Sequence, residues 1–254
     1  MHSLQGKSWT RAGSVSWNAF MLQIRPQPAL RQIYLPAMSV PLSPARTPNR
    51  PRPRYAGRAT RSRLVRAALE LFTEQGFRAT TTPDLARRAG VAEATIYRHF
   101  SGKDALLNAA CMEALEWGRG LVSAGESEHR LDAEVALGLI GRELARTAER
   151  DPALVRMLLR PPEESLHEEP TRQAIRDFRI GLQQIMAAGK QRGRIRPGSA
   201  ELWAAVWLAI AGFVVERVAA GEWGVDHPNV ELALESAWQA VAYRMPDTPL
   251  EVVT

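Results

Sequence analysis

A tyrosine, an arginine and a histidine stand side by side at positions 97–99, in the stretch AGVAEATIYRHFSGKDALL (residues 89–107). All three side chains donate hydrogen bonds, and arginine is well suited to pair with phosphate oxygens and with the edge of guanine. A lysine follows at position 103. A short segment so rich in donors is typical of a surface that binds nucleic acid, although each residue could also be a solvated or core-covering side chain.

Helical geometry separates these side chains by direction. If Ile96 faces a core and each residue advances by about 100°, Arg98 and the small Ala94 lie on the opposite side, flanked by Thr95 and Tyr97. His99 then lies at the margin, about 60° from the core direction. The spacing therefore predicts that Arg98 projects from the exposed side of a helix narrow enough for the DNA major groove, whose phosphate walls suit the flanking donors.

Two helical segments must position this stretch. In TRSRLVRAALELFTEQGF (residues 60–77) the apolar residues form one stripe, and Gly76 is placed to end the helix. The next segment, TTTPDLARRAG, offers Thr82 as an N-cap and Pro83 as the first helical residue, and it stops near Gly90. A three-residue turn leads into EATIYRHF. Two short helices joined in this way form a helix-turn-helix.

About residues 60–110 resemble the tetracycline-repressor-like (TetR) family of transcriptional regulators. The resemblance rests on AALELFTEQGF, TTTPDLARRAGVAEATIYRHF and GKDALL in this order and spacing. It implies an all-α homodimer. An N-terminal three-helix helix-turn-helix domain would bind DNA, and a larger helical domain would bind an effector and form the dimer.

The resemblance also implies roles for individual residues. The implied phosphate contacts are Thr82, Thr95, Tyr97, His99 and Lys103. The positions that would face the bases are Glu93, Ala94 and Arg98. The serine that commonly opens the recognition helix is Ala92 here, and Pro83 stands where some members read a base. The half-site preference therefore stays open.

The rest of the chain continues the helical pattern. A long linking helix runs on from Lys103 through Trp117, and further helices are expected near 131–150, 152–159, 168–192, 199–220 and 229–244. No segment alternates as a strand would. The expected fold class is therefore all-α.

The last two helices are expected to form the dimer. Residues 202–215 are apolar nearly all round, so this helix must be covered on more than one side. By resemblance, it and the following helix would pair with their two-fold mates. The residues predicted at this interface are Trp203, Trp207, Ile210, Phe213, Leu234, Trp238 and Val241. The alternative is that both helices close the core of a monomer.

An effector pocket is expected between the linking helix and the middle helices. Its candidate lining residues are Trp117, Met157, Phe178 and Met186. Methionines and aromatics at helical spacing can equally belong to a core, and the sequence does not reveal the ligand. Cys111 is expected to be a small buried hydrophobe rather than a redox sensor.

The net charge of +6 is unevenly distributed. Residues 1–59 hold nine Lys or Arg, no Asp or Glu and eight of the 17 prolines, which predicts a disordered basic tail. This tail could lie on DNA phosphates, act as a transit peptide, or be an upstream extension ahead of Met38. The predicted divisions are the tail (1–59), the DNA-binding domain (60–106), the effector-binding and dimerisation domain (107–245) and a C-terminal tail (246–254).

These features favour a cytoplasmic, sequence-specific regulator: a dimeric, ligand-responsive repressor on a palindromic double-stranded DNA operator. The alternative is an architectural or division-linked DNA-binding factor without small-molecule control. An enzyme would need convergent chemistry, and the chain has neither H-E-x-x-H nor G-x-S-x-G, and only five scattered histidines. We expect no cofactor, metal or membrane partner, and the single cysteine excludes a disulfide framework.

Overall fold

The protein is described by a computed structural model, which covers residues 53–128 and 132–243. Within these ranges the chain forms nine α-helices and no strand, which confirms the predicted all-α fold. The helices are α1 (Pro53–Glu74), α2 (Thr82–Ala89), α3 (Ala94–His99), α4 (Lys103–Glu128), α5 (Ala133–Arg150), α6 (Pro152–Leu159), α7 (Glu169–Gln191), α8 (Ala200–Ala219) and α9 (Pro228–Val241). A short 3₁₀ turn, Glu164–Leu166, precedes α7.

The predicted helix boundaries agree with the structure to within about three residues, except at the start of α1 and at the end of α4, which continues past Trp117 to Glu128. The tail was predicted to extend through residue 59, but α1 begins at Pro53. A proline is tolerated in the first turn of a helix, where its missing N–H has no partner to lose. The predictions for residues 1–52 and for the C-terminal tail at 246–254 lie outside the described residues.

The N-terminal part of the described chain is a small core formed by α1, α2, α3 and the beginning of α4. Its central side chains are fully buried: Leu64 and Leu69 from α1, Leu85 from α2 and Ile96 from α3. Each belongs to the apolar stripe of its helix, so three amphipathic helices bury one shared face. The rigidity of this core fixes the direction in which α3 presents its opposite face.

The larger part of the chain is built around α4, α5 and α8. Helix α8 packs against α5, α7 and α9, while α6 contacts both α1 and α4. Gly141 on α5 lets the helices approach closely, because a Cβ atom there would lie 2.7 Å from Leu234 and 3.5 Å from Trp207. Helix α4, which runs through both parts, and helix α6 therefore join the two parts of the molecule.

Helix α8 is long and apolar enough to cross a membrane by length and composition alone. Its buried residues, such as Trp207, Ala211 and Val215, belong to the core of this chain. Only 33% of its most apolar window is buried, however. Part of the apolar surface of α8 is therefore left uncovered by the described residues.

Candidate nucleic-acid interface

The turn between α1 and α2 is held by a buried threonine. Gly76 ends α1 with φ of 84°, the left-handed conformation that glycine adopts without strain. Thr80 is 1% exposed, and its hydroxyl donates to the carbonyl of Gly76 at 2.8 Å. The same oxygen accepts a hydrogen bond from the Gln75 side chain at 3.2 Å. These bonds set the position at which α2 begins.

The N-cap of α2 is Thr81, which corrects the prediction that Thr82 is the cap. Thr81 and Asp84 form a capping box, in which Asp84 N–H donates to Thr81 Oγ1 at 3.3 Å and Thr81 N–H donates to Asp84 Oδ2 at 3.2 Å. The carboxylate must stand three residues after the cap, and this spacing selects Thr81 within the run of three threonines. The hydrogen bonds from Thr81 hold the pKa of Asp84 below its usual value.

A glycine forms the turn between α2 and α3. Gly90 has φ of 64°, and its N–H reaches the carbonyls of Ala86 and Arg87. Val91 N–H also bonds to the Ala86 carbonyl at 3.0 Å. This left-handed glycine lets the chain reverse direction directly after α2.

Helix α3 has the orientation that the sequence predicted. Ile96 is 0% exposed and Phe100, at the C-cap, is 7% exposed, so both anchor the helix in the small core. On the other side Ala94 and Arg98 are exposed, and Tyr97 is 57% exposed. Thr95 is half-buried at the edge of this surface. The helix thus offers a polar face with one small residue at its centre.

Thr82 and Glu93 form a pair across the helix-turn-helix. The Thr82 hydroxyl donates to Glu93 Oε1 at 2.7 Å, linking the first turn of α2 to the residue that precedes α3. Glu93 is exposed, and its side chain makes no capping bond to α3. The predicted phosphate donor Thr82 therefore already has an acceptor, and it fixes the position of a carboxylate at the N-terminal end of α3.

His99 lies at the margin of the exposed face of α3, as the helical geometry predicted. The residue is half-buried, and its Nε2 atom is buried without a hydrogen-bond partner in the part of the chain that the structure describes. A phosphate contact through Nε2 would require the ring to turn. The structure therefore does not present Nε2 of His99 together with Tyr97 and Arg98 on the exposed surface of α3.

Lys103, a predicted phosphate contact, already has partners within the protein. Its Nζ donates to the carbonyls of Phe77 and Thr80, at 2.9 Å and 3.0 Å, and lies 4.2 Å from the centre of the Phe77 ring. The side chain is half-buried. Its charge is used within the protein, where it holds the first residue of α4 against the turn between α1 and α2.

An ion-pair network fixes α2 on α1. Arg88 contacts Glu70 at 2.9 Å and Glu74 at 2.8 Å. The hydrogen bond from Arg88 lowers the pKa of Glu74, and the same contacts raise the pKa of Arg88. For Glu70, burial raises the pKa, but the hydrogen bonds from Arg88 and Arg66 outweigh it and the net pKa is lowered. By contrast, Arg98 forms no ion pair within the described ranges.

The segment that builds this surface matches a known protein family. It runs from the apolar stripe of α1 to the first turns of α4. Residues 64–110 match the model described as bacterial regulatory proteins, tetR family. Over these residues the chain belongs to the TetR family. It is therefore a DNA-binding regulator of transcription and not an enzyme.

Two relatives and one solved structure illustrate how far this TetR-family chain resembles known proteins. It is 26% identical over 180 residues to the uncharacterized HTH-type transcriptional regulator YvkB of Bacillus subtilis, over 69% of this chain and 92% of that protein. It is 37% identical over 108 residues to the class D tetracycline repressor of Escherichia coli, over 42% and 48% of the two chains. A TetR family regulator from Marinobacter aquaeolei VT8 shares the fold, with a TM-score of 0.60, 23% identity, and coverage of 75% of this chain and 100% of that one.

The predicted dimer residues of this TetR-family chain separate into two groups. Phe213 is 47% exposed, and Trp203 and Ile210 are half-buried. The other four are at most 7% exposed and fill the core of the chain itself: Trp207, Leu234, Trp238 and Val241. Amphipathic spacing identified these four as apolar positions but did not distinguish a core from an interface. Their side chains are not available on the surface for contact with a second copy.

The predicted pocket residues are also mostly core residues. Met157 is 1% exposed and lies with its Sδ atom 3.4 Å from Cys111 Sγ. Phe178 (5%) and Met186 (0%) are buried as well, whereas Trp117 is half-buried. Burial raises the pKa of the Cys111 thiol to about 12, so at neutral pH it is an unreactive thiol, as expected.

Sequence reasoning missed three features of this interface. Thr81 was overlooked as the N-cap, and the partners that Lys103 and Thr82 have within the protein were not foreseen. The spacing of Thr81 and Asp84 was a readable signal for the cap. The partners of Lys103 are backbone carbonyls more than twenty residues away, and no local pattern indicates them.

Proposed function

We propose that this protein is a ligand-responsive transcriptional repressor that binds a palindromic operator as a homodimer, with α3 in the major groove. The orientation of α3 carries the proposal: Ile96 and Phe100 fix the helix in the core, while Tyr97 and Arg98 remain exposed. Donors held on a rigid element are what base recognition requires, because a misplaced donor loses its hydrogen bond. Repression itself is inferred from the related tetracycline repressor.

The exposed residues of α3 take different roles in this proposal. Arg98 reads a guanine edge, since a guanidinium can donate two hydrogen bonds to that base. Tyr97 and Thr95 contact phosphates on either side, and Ala94 lets the backbone approach the groove closely. Glu93, held by Thr82, is placed to accept a hydrogen bond from the amino group of cytosine. Thr82 and Lys103 act as positioning residues.

The dimer is proposed to form through the outer faces of α8 and α9. Four residues of α8 at spacings of three and four are exposed, namely Leu202, Ala205, Ala209 and Phe213. On α9, Leu232 is 65% exposed. These side chains replace the buried residues in the predicted interface. A two-fold axis through them would repeat the same surface on both subunits, as a palindromic DNA site requires.

The effector site is proposed to lie between α1, α6 and α8. A cavity of about 550 Å³ opens there, within the size range of small-molecule sites. Phe72 and Met157 supply buried apolar side chains to its lining, while Arg156 and Glu216 form an ion pair at 3.2 Å. Of the four predicted pocket residues, this cavity includes Met157. Its walls belong to both parts of the molecule.

A ligand in this cavity could alter DNA binding through a contact beside it. Arg66 on α1 pairs with Asp151, the N-cap of α6, at 2.5 Å. A ligand that moves α6 would therefore move α1 and change the distance between the two recognition helices. Such a ligand weakens operator binding only by its differential affinity for the two spacings, commonly ~1–3 kcal/mol.

Selection of bound sequences from random double-stranded DNA tests the core of the proposal. We expect a palindrome whose half-sites are about one helical turn apart, bound by a dimer in sedimentation experiments. Arg98→Ala should relax the preference at one base pair per half-site and cost about 1–3 kcal/mol on the selected site. Recovery of no common sequence would contradict the proposal.

A second experiment distinguishes the ligand-responsive repressor from the alternative, an architectural factor without effector control. Thermal shifts against a small-molecule library identify compounds that stabilise the protein. For a ligand-responsive repressor, at least one such compound should release the selected operator. Thr73→Trp, at a half-buried lining position on α1, fills part of the cavity without replacing a core side chain and should abolish the effect of the compound. Stabilising compounds that never change operator affinity would favour the alternative. A DNA-binding role also implies a location with the chromosome, in the cytoplasm.

A further inference from the structure

Helix α1 extends well beyond the DNA-binding motif. It begins at Pro53, whereas the segment shared with the family begins at residue 64. Residues 53–63, PRYAGRATRSR, therefore form an additional three turns, which span roughly 16 Å at 1.5 Å per residue. They contain four arginines and no acidic residue. We call residues 53–63 the α1 extension.

Two arginines of the α1 extension lie against the recognition unit. The Arg61 guanidinium is stacked over the Phe100 ring, 5.0 Å from its centre, and Phe100 is the C-cap of α3. Arg63 Nη1 lies 3.5 Å from the carbonyl of Gly90, in the turn that precedes α3. The α1 extension thus passes beside both ends of the segment that contains the recognition helix.

The position of Arg58 follows from these contacts. Residues 58 and 61 are three apart, so they are neighbours on one face of the helix. Because Arg61 is stacked over Phe100, Arg58 lies one turn closer to the N-terminus on the same face, beyond the recognition unit. Arg58, Arg61 and Arg63 are all exposed. Arg58 and Arg61 form a cationic face beside the C-terminal end of α3, whereas Arg63, about 160° around the helix from Arg61, lies at the turn that precedes α3.

We propose that the α1 extension is a second DNA-contacting surface, which binds backbone phosphates beside the groove that α3 occupies. This inference rests on the proposed function, since it assumes that α3 docks on DNA. Phosphate is the partner chemistry that fits, because three exposed guanidiniums without an acidic residue in the same segment create a strongly positive local field. The surface adds affinity for any DNA sequence and no base preference of its own.

A phosphate contact by the α1 extension should appear in the salt dependence of DNA affinity. Each phosphate neutralised by an arginine adds about 0.9 to the slope of log affinity against log salt concentration. Loss of one contact per subunit should therefore lower the slope of a dimer by about 1.8. The Kd ratio of variant to wild type should then fall about 12-fold between 50 and 200 mM salt.

Arg58→Gln is the most informative variant, because Arg61 also interacts electrostatically with Glu113 on α4. The full chain should be titrated by fluorescence anisotropy against its selected operator and a scrambled duplex, with Arg179→Gln on α7 as an exposed control far along the chain. We expect Arg58→Gln to weaken both duplexes by the same factor and to lower the slope. Its melting temperature and base preference should equal those of the wild type.

Four contrary outcomes can be distinguished. If Arg98→Ala loses base selectivity while Arg58→Gln keeps the full salt slope, the α1 extension does not contact DNA and the proposed function stands. If the wild-type chain selects no sequence, the proposed function itself fails. A change in base preference for Arg58→Gln would also overturn the proposal, because it would assign Arg58 to base recognition. An equal loss of slope for Arg179→Gln would show that only net charge matters.

Discussion

Replacement of Lys103 with methionine should destabilise the protein without removing a phosphate contact. The ammonium group donates to the carbonyls of Phe77 and Thr80 and lies over the Phe77 ring. Hydrogen bonds from a charged group contribute about 1.5–3 kcal/mol each, and a cation–π contact adds about 0.5–1 kcal/mol. Because the site is half-buried and water can replace part of these interactions, we expect a net loss of about 2–3 kcal/mol.

Thermal unfolding measures this loss. For a chain of this size it corresponds to a decrease in melting temperature of about 4–12 °C. Arg98→Ala serves as the matched control. Because Arg98 is exposed, its replacement should leave the melting temperature unchanged. Operator titrations over a range of salt concentrations then test the second half of the prediction. For Lys103→Met the slope of log affinity against log salt should stay at the wild-type value.

The opposite pattern would refute this reasoning. An unchanged melting temperature, together with a salt slope reduced by about 1.8 per dimer, would mean that Lys103 leaves the carbonyls and binds a phosphate when DNA is present. The role first implied by resemblance would then be correct. Lys103→Arg separates charge from geometry, because it keeps the cation but changes the reach and shape of the donor.

Three further predictions concern other contacts. Thr82→Val removes the hydroxyl that holds Glu93, so base preference in a DNA-selection experiment should broaden while the salt slope stays unchanged; a reduced slope would instead identify Thr82 as a phosphate ligand. Leu232→Asp should yield monomers in sedimentation with an unchanged helical spectrum, whereas Trp238→Ala should lower the melting temperature by removing a core side chain; dimers of Leu232→Asp would contradict the proposed interface. Glu74→Gln should cost up to about 1 kcal/mol at pH 7. Because the pKa of Glu74 is lowered in the folded protein, this difference should vanish as the pH falls through that pKa, and a difference that persists in denaturant melts at low pH would exclude the ion pair as its source.

Local features of the sequence were sufficient to predict which face of α3 is exposed and where the helices before it end. The spacing of Ile96 and Phe100 places both on one side of α3, so the opposite direction of Arg98 follows from helical geometry alone. Gly76 and Gly90 end their helices because few other residues adopt a left-handed conformation without strain. These properties depend on a few neighbouring residues, and sequence analysis can read them directly.

The tertiary structure decided which of these polar and apolar side chains already have partners. Lys103 and Thr82 carry the donors that a phosphate contact needs, but each is occupied by a group brought close only by folding. Trp207 and Trp238 have the periodicity of an interface, yet they are buried within the same chain. Periodicity indicates that an apolar side chain must be covered. It does not indicate which surface covers it, because that surface comes from distant parts of the chain or from a second copy.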